Sequence, residues 1–440
     1  MDMNMDTTTT TILTEAKIKE RFIPISRQEI IKNLLAAPHW QPQERTQFSA
    51  FCTVLTALYH FKFHADLEKL KQSYFPFNPD HDLPTQHHYS DAEKQGFEQQ
   101  FATTARQLLV HANYEELMTD KVNAALSEES FYGVKVHVDL DDFSEILLYY
   151  RGASAQTEYQ RHWKTLFLFK TPLVIPIYKK LFVLVKFKAE AVRAKELAEL
   201  MVKQKSKLSL EQALKKTTKV VKKRRRHIPE DVEDKIFMKL FKDIPRSDLD
   251  MLFPNQEVRL KLVDKIKLAV SGGSGTIGGI IGIFAKITTA VTNPFLLVGA
   301  FVGLIGVFVR QILNIFNYRT KYMMVLSRNL YFHTMNNNFG VINGLVDEAE
   351  EEETKEAILA YYFLLLQRDK NYTKERLDRQ IESYLQQRYN VTLDFEVDDG
   401  IRKLREEGLL KEDANGVLSV LELTPSCQKL DQQWDNFFKF

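Results

Sequence analysis

The chain has 440 residues, of which 44% are hydrophobic and 27% charged, and its formal net charge is +2. These values fit globular protein and leave room for two or three domains. Two cysteines, Cys52 and Cys427, exclude a disulfide framework and fit free thiols in a reducing compartment. The opening MDMNMDTTTTT has neither the basic region nor the apolar stretch of a secretory signal. The charge is unevenly spread: 186–226 carry 15 Lys/Arg against 4 Glu, and 345–440 carry 13 Lys/Arg against 22 Asp/Glu. Two such halves meet different surroundings, or each other.

Residues 1–132 read as a helical region. Ser26, with Glu29 three residues on, forms a capping box that opens a helix over 25–36. A second helix over 43–74 carries Phe48, Phe51, Leu55, Leu58 and Phe63, and amphipathic helices follow over 93–126. His60 and His64 stand four apart, with His81, His87 and His88 nearby. Such spacing can present imidazoles to a metal. With no cysteine cluster and no acidic residue between them, they read as packing or surface histidines. Over 133–188 the period shifts to strands, and the links are too short for crossover helices, so an antiparallel β region is expected.

Residues 189–231 lack a sustained apolar face and read as a basic linker or a solvent-exposed helix. The linker ends in Lys222, Lys223, Arg224, Arg225 and Arg226, a cluster suited to anionic lipid headgroups. An amphipathic helix is expected over 232–241. Within 232–346, two apolar runs, 268–291 and 294–316, are each long enough to cross a bilayer. Gly275/Gly279, Gly278/Gly282 and Gly299/Gly303 are spaced for close helix packing, between the two hairpin helices or between copies in a homo-oligomer. Lys286 and Arg310 are the charges inside the runs. Positive residues flank the hairpin and its turn has none, so an integral membrane protein with both soluble portions on the cytoplasmic side is expected, in a bacterial or mitochondrial membrane.

An acidic run over 347–356 follows, placed to compete with lipid for the basic linker. Residues 347–440 then read as a winged-helix-like module: helices over 354–367, 374–388 and 397–407, Gly408 as a C-cap, and a KEDANG turn between two short strands. Asp398, Asp399, Glu406 and Glu407 on the third helix balance Arg402, Lys403 and Arg405, so a nucleic-acid partner is not expected.

The fold class expected is therefore an α+β membrane protein: helical N-terminal region, small antiparallel sheet, two-helix transmembrane hairpin and winged-helix-like C-terminal module. No P-loop, dinucleotide fingerprint or GxSxG is present, so no catalytic residue, cofactor or metal is expected. The function expected is a membrane-anchored scaffold or adaptor that binds proteins or lipid headgroups. Two alternatives are a small oligomeric channel or transporter with Lys286 facing its pore, and a membrane-bound enzyme acting on lipid through Asp243, Asp248 or Asn336–Asn338.

Several segments taken in order resemble a family of unknown function that includes transmembrane protein 143. They are IPISRQEIIKNLL, SYFPFNPD, ANYEEL, AALSEESFYGVKVHVDLDDFSEILLYYRG, FKDIPRSDLDMLFP, the Gly-rich runs and NLYFHTMNNNFGVINGLVDEAEEEETKEAILAYYFLL. The resemblance implies a membrane protein, mitochondrial in animals. It supplies no catalytic residue.

Overall fold

A computed structural model describes residues 19–80, 89–118, 122, 135–161, 170–204, 209–225, 228, 232–254, 257–259, 306, 309, 310, 313, 320, 324, 330–366 and 372–437. Three helices open it. In α1 (Arg27–Leu35), the Ser26 hydroxyl accepts from the Glu29 N–H at 3.3 Å, which satisfies one of the free donors of the first turn. Pro42 opens the 33-residue α2 (Pro42–Tyr74), and the Glu44 carboxylate accepts from the Gln41 N–H. In α3 (Asp91–His111), Ser90 and Glu93 cap each other reciprocally, as a capping box requires.

The strands are β1 (Glu115–Glu116), β2 (Lys135–His137), β3 (Phe143–Arg161), β4 (Lys170–Phe187), β5 (Ile236–Pro245), β6 (Glu257–Arg259) and β7 (Thr334–Asn337). Five of them form an antiparallel sheet in the order β1-β3-β4-β5-β7, while β2 and β6 pair separately. Alternation places two sets of side chains on opposite faces. Leu147, Tyr149, Phe182, Leu184, Ile236 and Met238 enter one apolar cluster with the helices. Leu148, Leu181, Val183, Val185, Phe187 and Phe241 enter another with Leu249 and Phe253. Residues 232–241, expected as a helix, are instead largely strand. Because β5 is covered on both faces, IFMKLF lacks the polar-apolar alternation that marks a half-exposed strand.

The stretch expected as a basic linker or a solvent-exposed helix is largely helical where it is described. It folds as α4 (Glu190–Gln204) and α5 (Leu210–Arg224), which pack together through Ala194, Ala198, Ala213, Thr217 and Val221. The Thr217 hydroxyl donates to the Ala194 carbonyl at 2.8 Å. Small residues allow this close approach, and they hide the helix pair from a search for large apolar stripes.

At the centre lies α6 (Phe339–Leu366), with most of its 28 residues buried, followed by α7 (Lys374–Tyr389), α8 (Val397–Glu406), β8 (Leu410–Glu412), β9 (Leu418–Val420) and α9 (Leu423–Phe437). Gly408 adopts φ +63° just past α8, a left-handed conformation that glycine adopts without a Cβ clash. The expected sequence of helices and hairpin is present, but α6 begins at 339 and takes in the acidic run. Its apolar residues, those of α7–α9 and those of α1–α3 share one cluster.

The membrane expectation is corrected. Among the described residues no helix is long and apolar enough to cross a membrane. The two longest, α2 and α6, have the length but carry charges along it, Lys62, Asp66 and Glu68 in one and a run of glutamates in the other. The fold shown is α+β, a five-stranded antiparallel sheet with helices, and no described helix supports the expected transmembrane architecture or integral membrane protein. Residues 268–291, with Gly275, Gly278, Gly279, Gly282 and Lys286, lie outside the described residues, as do Gly299 and Gly303. From the second run Gly306, Val309, Arg310 and Leu313 are described, all helical and exposed.

Candidate functional site

Alanine, leucine and glutamate are all strong helix formers, so DEAEEEETKEAILA propagates a helix despite its charge. The cost of that charge falls on tertiary structure, because α6 runs through the middle of the molecule. Glu352, Glu353 and Glu356 are at most 4% exposed. A buried carboxylate without partners is strongly destabilising, and each of these is engaged.

Glu348 accepts from Arg151 Nη1 and Lys180 Nζ, each at 2.7 Å, and from the Tyr114 hydroxyl at 2.8 Å. Glu352 pairs with Arg151 Nη2, with Lys355 Nζ at 2.6 Å and with the Ile23 N–H at 3.0 Å. Lys355, itself buried, also donates to the carbonyls of Ile23 and Ile25. Glu350 meets Arg27 Nη1 at 3.2 Å and His60 Nδ1 at 2.9 Å. Further along, Glu353 meets His111 Nδ1 at 2.7 Å and Lys403 Nζ at 3.1 Å. Glu356 pairs with Lys403 and accepts from Asn113 Nδ2 at 2.9 Å.

Electrostatics follow this wiring. Burial pushes the Glu348 carboxyl up, but the charges of Arg151 and Lys180 outweigh it and hold the group below its ordinary value. Glu353 is likewise raised by burial and lowered further by His111 and Lys403, with a net downward shift. Glu356 differs. Burial raises it to about 7, against the pull of Lys403 and with the help of neighbouring Glu352.

Beside Arg151 and Glu352 a cavity of about 480 Å³ opens between the backbone of Phe22–Ser26 and the side chains of Lys180, Glu348 and Lys355. The Phe22 ring covers the Arg151 guanidinium, 4.7 Å from its centroid. Arg151 thereby joins strand, helix and N-terminal segment. The buried carboxylates already face cations, so the cluster acts as an electrostatic clamp on at least four segments rather than presenting a free base.

A second charged centre fixes the helix pair α4–α5. The buried Arg193 donates to Asp142 at 2.9 Å, to Asp139 at 2.9 Å and to Glu196 at 3.0 Å. Arg224 reaches Asp139 at 2.7 Å, and Arg225 donates to the Lys188 carbonyl and lies over the Phe187 ring. The expected lipid cluster is therefore divided. Arg224 and Arg225 are bound into the protein, Lys222 and Lys223 are exposed, and Arg226 lies outside the described residues. Among the described residues the acidic run meets Arg27, His60, His111, Arg151, Lys180, Lys355, Arg402 and Lys403 rather than this cluster.

The other residues singled out by sequence are scattered. His60 and His64 stack on α2 with centroids 6.4 Å apart, and His60 is taken up by Glu350. His81, His87 and His88 lie outside the described residues. Among the described residues no group of three His, Cys, Asp or Glu side chains could hold a metal. Asn338 is a structural pin: at φ +47°, its Oδ1 accepts from the Met238 N–H at 3.0 Å and its Nδ2 donates to Asp80 at 2.6 Å. Asp243 sits at φ +52° within β5. Cys52 is buried, and burial pushes its thiol up; it forms no disulfide with Cys427. Arg151 and Lys180 were missed, because a single cation inside a strand looks like a solvent-facing residue.

The family model described as "Protein of unknown function (DUF3754)" matches residues 143–340. These residues carry that domain. It spans β3, β4, the α4–α5 pair, β5 and β7, and ends at the start of α6. The match supports an uncharacterised family and says nothing of transmembrane protein 143. No solved structure matches the chain.

Proposed function

We propose that the chain is a non-enzymatic scaffold or adaptor that docks an acidic protein segment on the α4–α5 helix pair. One observation carries this reading: the pair presents apolar and basic side chains together to solvent. Val192, Leu200, Leu210, Leu214 and Val220 are between 39% and 52% exposed, and Lys215, Lys216, Lys219, Lys222 and Lys223 stand among them on α5. Exposed aliphatic side chains rimmed by one sign of charge suit a partner that is amphipathic and of opposite sign. The inner faces are fixed by Arg193 and Arg224, so the surface is held in place before a partner arrives. Kinship with the family that includes transmembrane protein 143 is part of this reading and supplies no residue role.

The test is fluorescence anisotropy with a labelled amphipathic Glu/Leu helical peptide and the full chain. Replacing Lys215, Lys216 and Lys219 with Glu should weaken binding at least about tenfold, and salt should weaken it in the parent protein. Equal binding by parent and triple variant, or tighter binding of duplex DNA than of the peptide, would overturn the reading.

A further inference from the structure

The chain enters α1 through an irregular strap, residues 19–26, that lies against the middle of α6. Its grip is largely main-chain. The Ile23 N–H donates to the buried Glu352 at 3.0 Å, while Lys355 Nζ donates to the Ile23 carbonyl at 2.6 Å and the Ile25 carbonyl at 3.2 Å. Towards the other end, the Glu20 carbonyl accepts from the Asp394 N–H at 2.8 Å and the Arg21 carbonyl from Asn113 Nδ2 at 3.1 Å. Two side chains add shape: Ile23 is 2% exposed, and the Phe22 ring lies over the Arg151 guanidinium. Gly152, at φ +77°, makes room for that ring. A Cβ there would stand 2.7 Å from Phe22 and 2.8 Å from the Glu20 carboxylate, closer than real Cβ atoms approach.

The floor beneath the strap is complete without it. Glu352 pairs with Arg151 and Lys355, and Glu348 with Arg151 and Lys180, so the charges offset one another. What the floor still offers is hydrogen bonding to an uncharged main chain. In the buried apolar cluster around α6, Ile23 is the strap's one member. The flanking pairs Lys19–Glu382 and Arg21–Glu396 are partly exposed to solvent and contribute little. Nor does the strap fill its seat, since the cavity of about 480 Å³ remains beside Phe22–Ser26. Lifting the strap therefore wets Glu352 and Lys355 without leaving either charge unpaired.

We infer that the seat of residues 19–26 is a peptide-docking groove, filled in cis by the chain's own strap and in trans by the same strap of a second copy. The groove's specificity is that of the segment it holds: a ring on Arg151 beside Gly152, an isoleucine in the core and a main chain between Glu352 and Lys355. Replacing one strap by an identical one conserves every contact, so concentration and the hold of the cis strap decide which occupies the groove. A tethered segment competes at an effective concentration on the order of millimolar, so exchange is favoured when the cis strap is weakened.

Two full-length variants test it. Phe22→Ala/Ile23→Ala weakens the strap and leaves the groove intact. Gly152→Ala blocks the groove and leaves the strap intact. Mixed, they should form a 1:1 complex in sedimentation velocity, at least about tenfold tighter than either variant with itself. A fluorescent peptide of residues 19–26 should bind the Phe22→Ala/Ile23→Ala chain at least about tenfold more tightly than the parent, whose groove is filled. The same peptide carrying Phe22→Asp/Ile23→Asp should not bind. Circular dichroism checks that both variants are folded, and the peptide measurement does not depend on Gly152→Ala. No complex on mixing the two folded variants, no binding of the peptide to the weakened-strap chain at millimolar concentration, or equal binding of the Asp-bearing peptide would each overturn the assignment.

Discussion

Arg151 on β3 and Glu352 on α6 form an ion pair with both side chains shut off from water, 201 residues apart in the chain. The same guanidinium holds Glu348 one helical turn earlier, so one cation fixes α6 against the sheet at two points.

Arg151→Met should therefore destabilise the protein by about 3–5 kcal/mol, because it leaves Glu348 and Glu352 buried with a cation missing. Urea denaturation measures it. The double variant Arg151→Met/Glu352→Leu should recover part of the loss. A loss below about 1 kcal/mol in the single variant would show that the clamp is not a main contributor.

Stability should depend on pH in two windows. Glu348 and Glu353 have folded values below their ordinary 4.5, so what they contribute is present above that value and lost as pH falls through the lowered one. Glu356 has the opposite sign. Its folded value is raised to about 7, so its contribution is full below 4.5 and lost as pH rises toward and past 7. Glu356→Gln should flatten the decline between about pH 5 and 8 and leave the acid limb in place. Melting curves of both proteins across that range decide it.

Arg193→Met should loosen the α4–α5 pair from Asp139 and Asp142. Trypsin should then cut within 190–224 several times faster, while the calorimetric transition of the rest moves little. Unchanged cleavage would place the hold elsewhere, in the alanine and Thr217 packing.

Asn338→Ala removes the acceptor of the Met238 N–H and the donor to Asp80, and puts alanine at φ +47°. The expected loss is about 2–4 kcal/mol, the sum of an unmet buried donor and left-handed backbone strain. Asn338→Gly should lose less, since glycine tolerates the backbone.

Local signals in the sequence carried well. The Ser26–Glu29 cap, Gly408 and the KEDANG hairpin each follow from short-range backbone chemistry, and the β3–β4 region from its β-branched and aromatic content. What failed needed long-range information. Residues 347–356 read as an acidic run competing for the basic linker, because seven carboxylates in ten residues name no particular partner, and the cations that meet them lie up to 324 residues away. The α4–α5 pair buries alanines and a threonine, which no apolar periodicity reveals. The strand over 236–245 lies between two cores and loses its alternation.

The wiring of α6 also sets an order of assembly. Arg27, His60, His111, Arg151 and Lys180 all leave the ribosome before their glutamates are made. At about 5–20 residues per second, Arg151 waits on the order of 10–40 seconds for Glu352. Until then the sheet face that carries Leu147, Tyr149, Phe182 and Leu184 has no central helix to cover it. The shared core of the first half of the chain therefore cannot close until 339–366 has emerged.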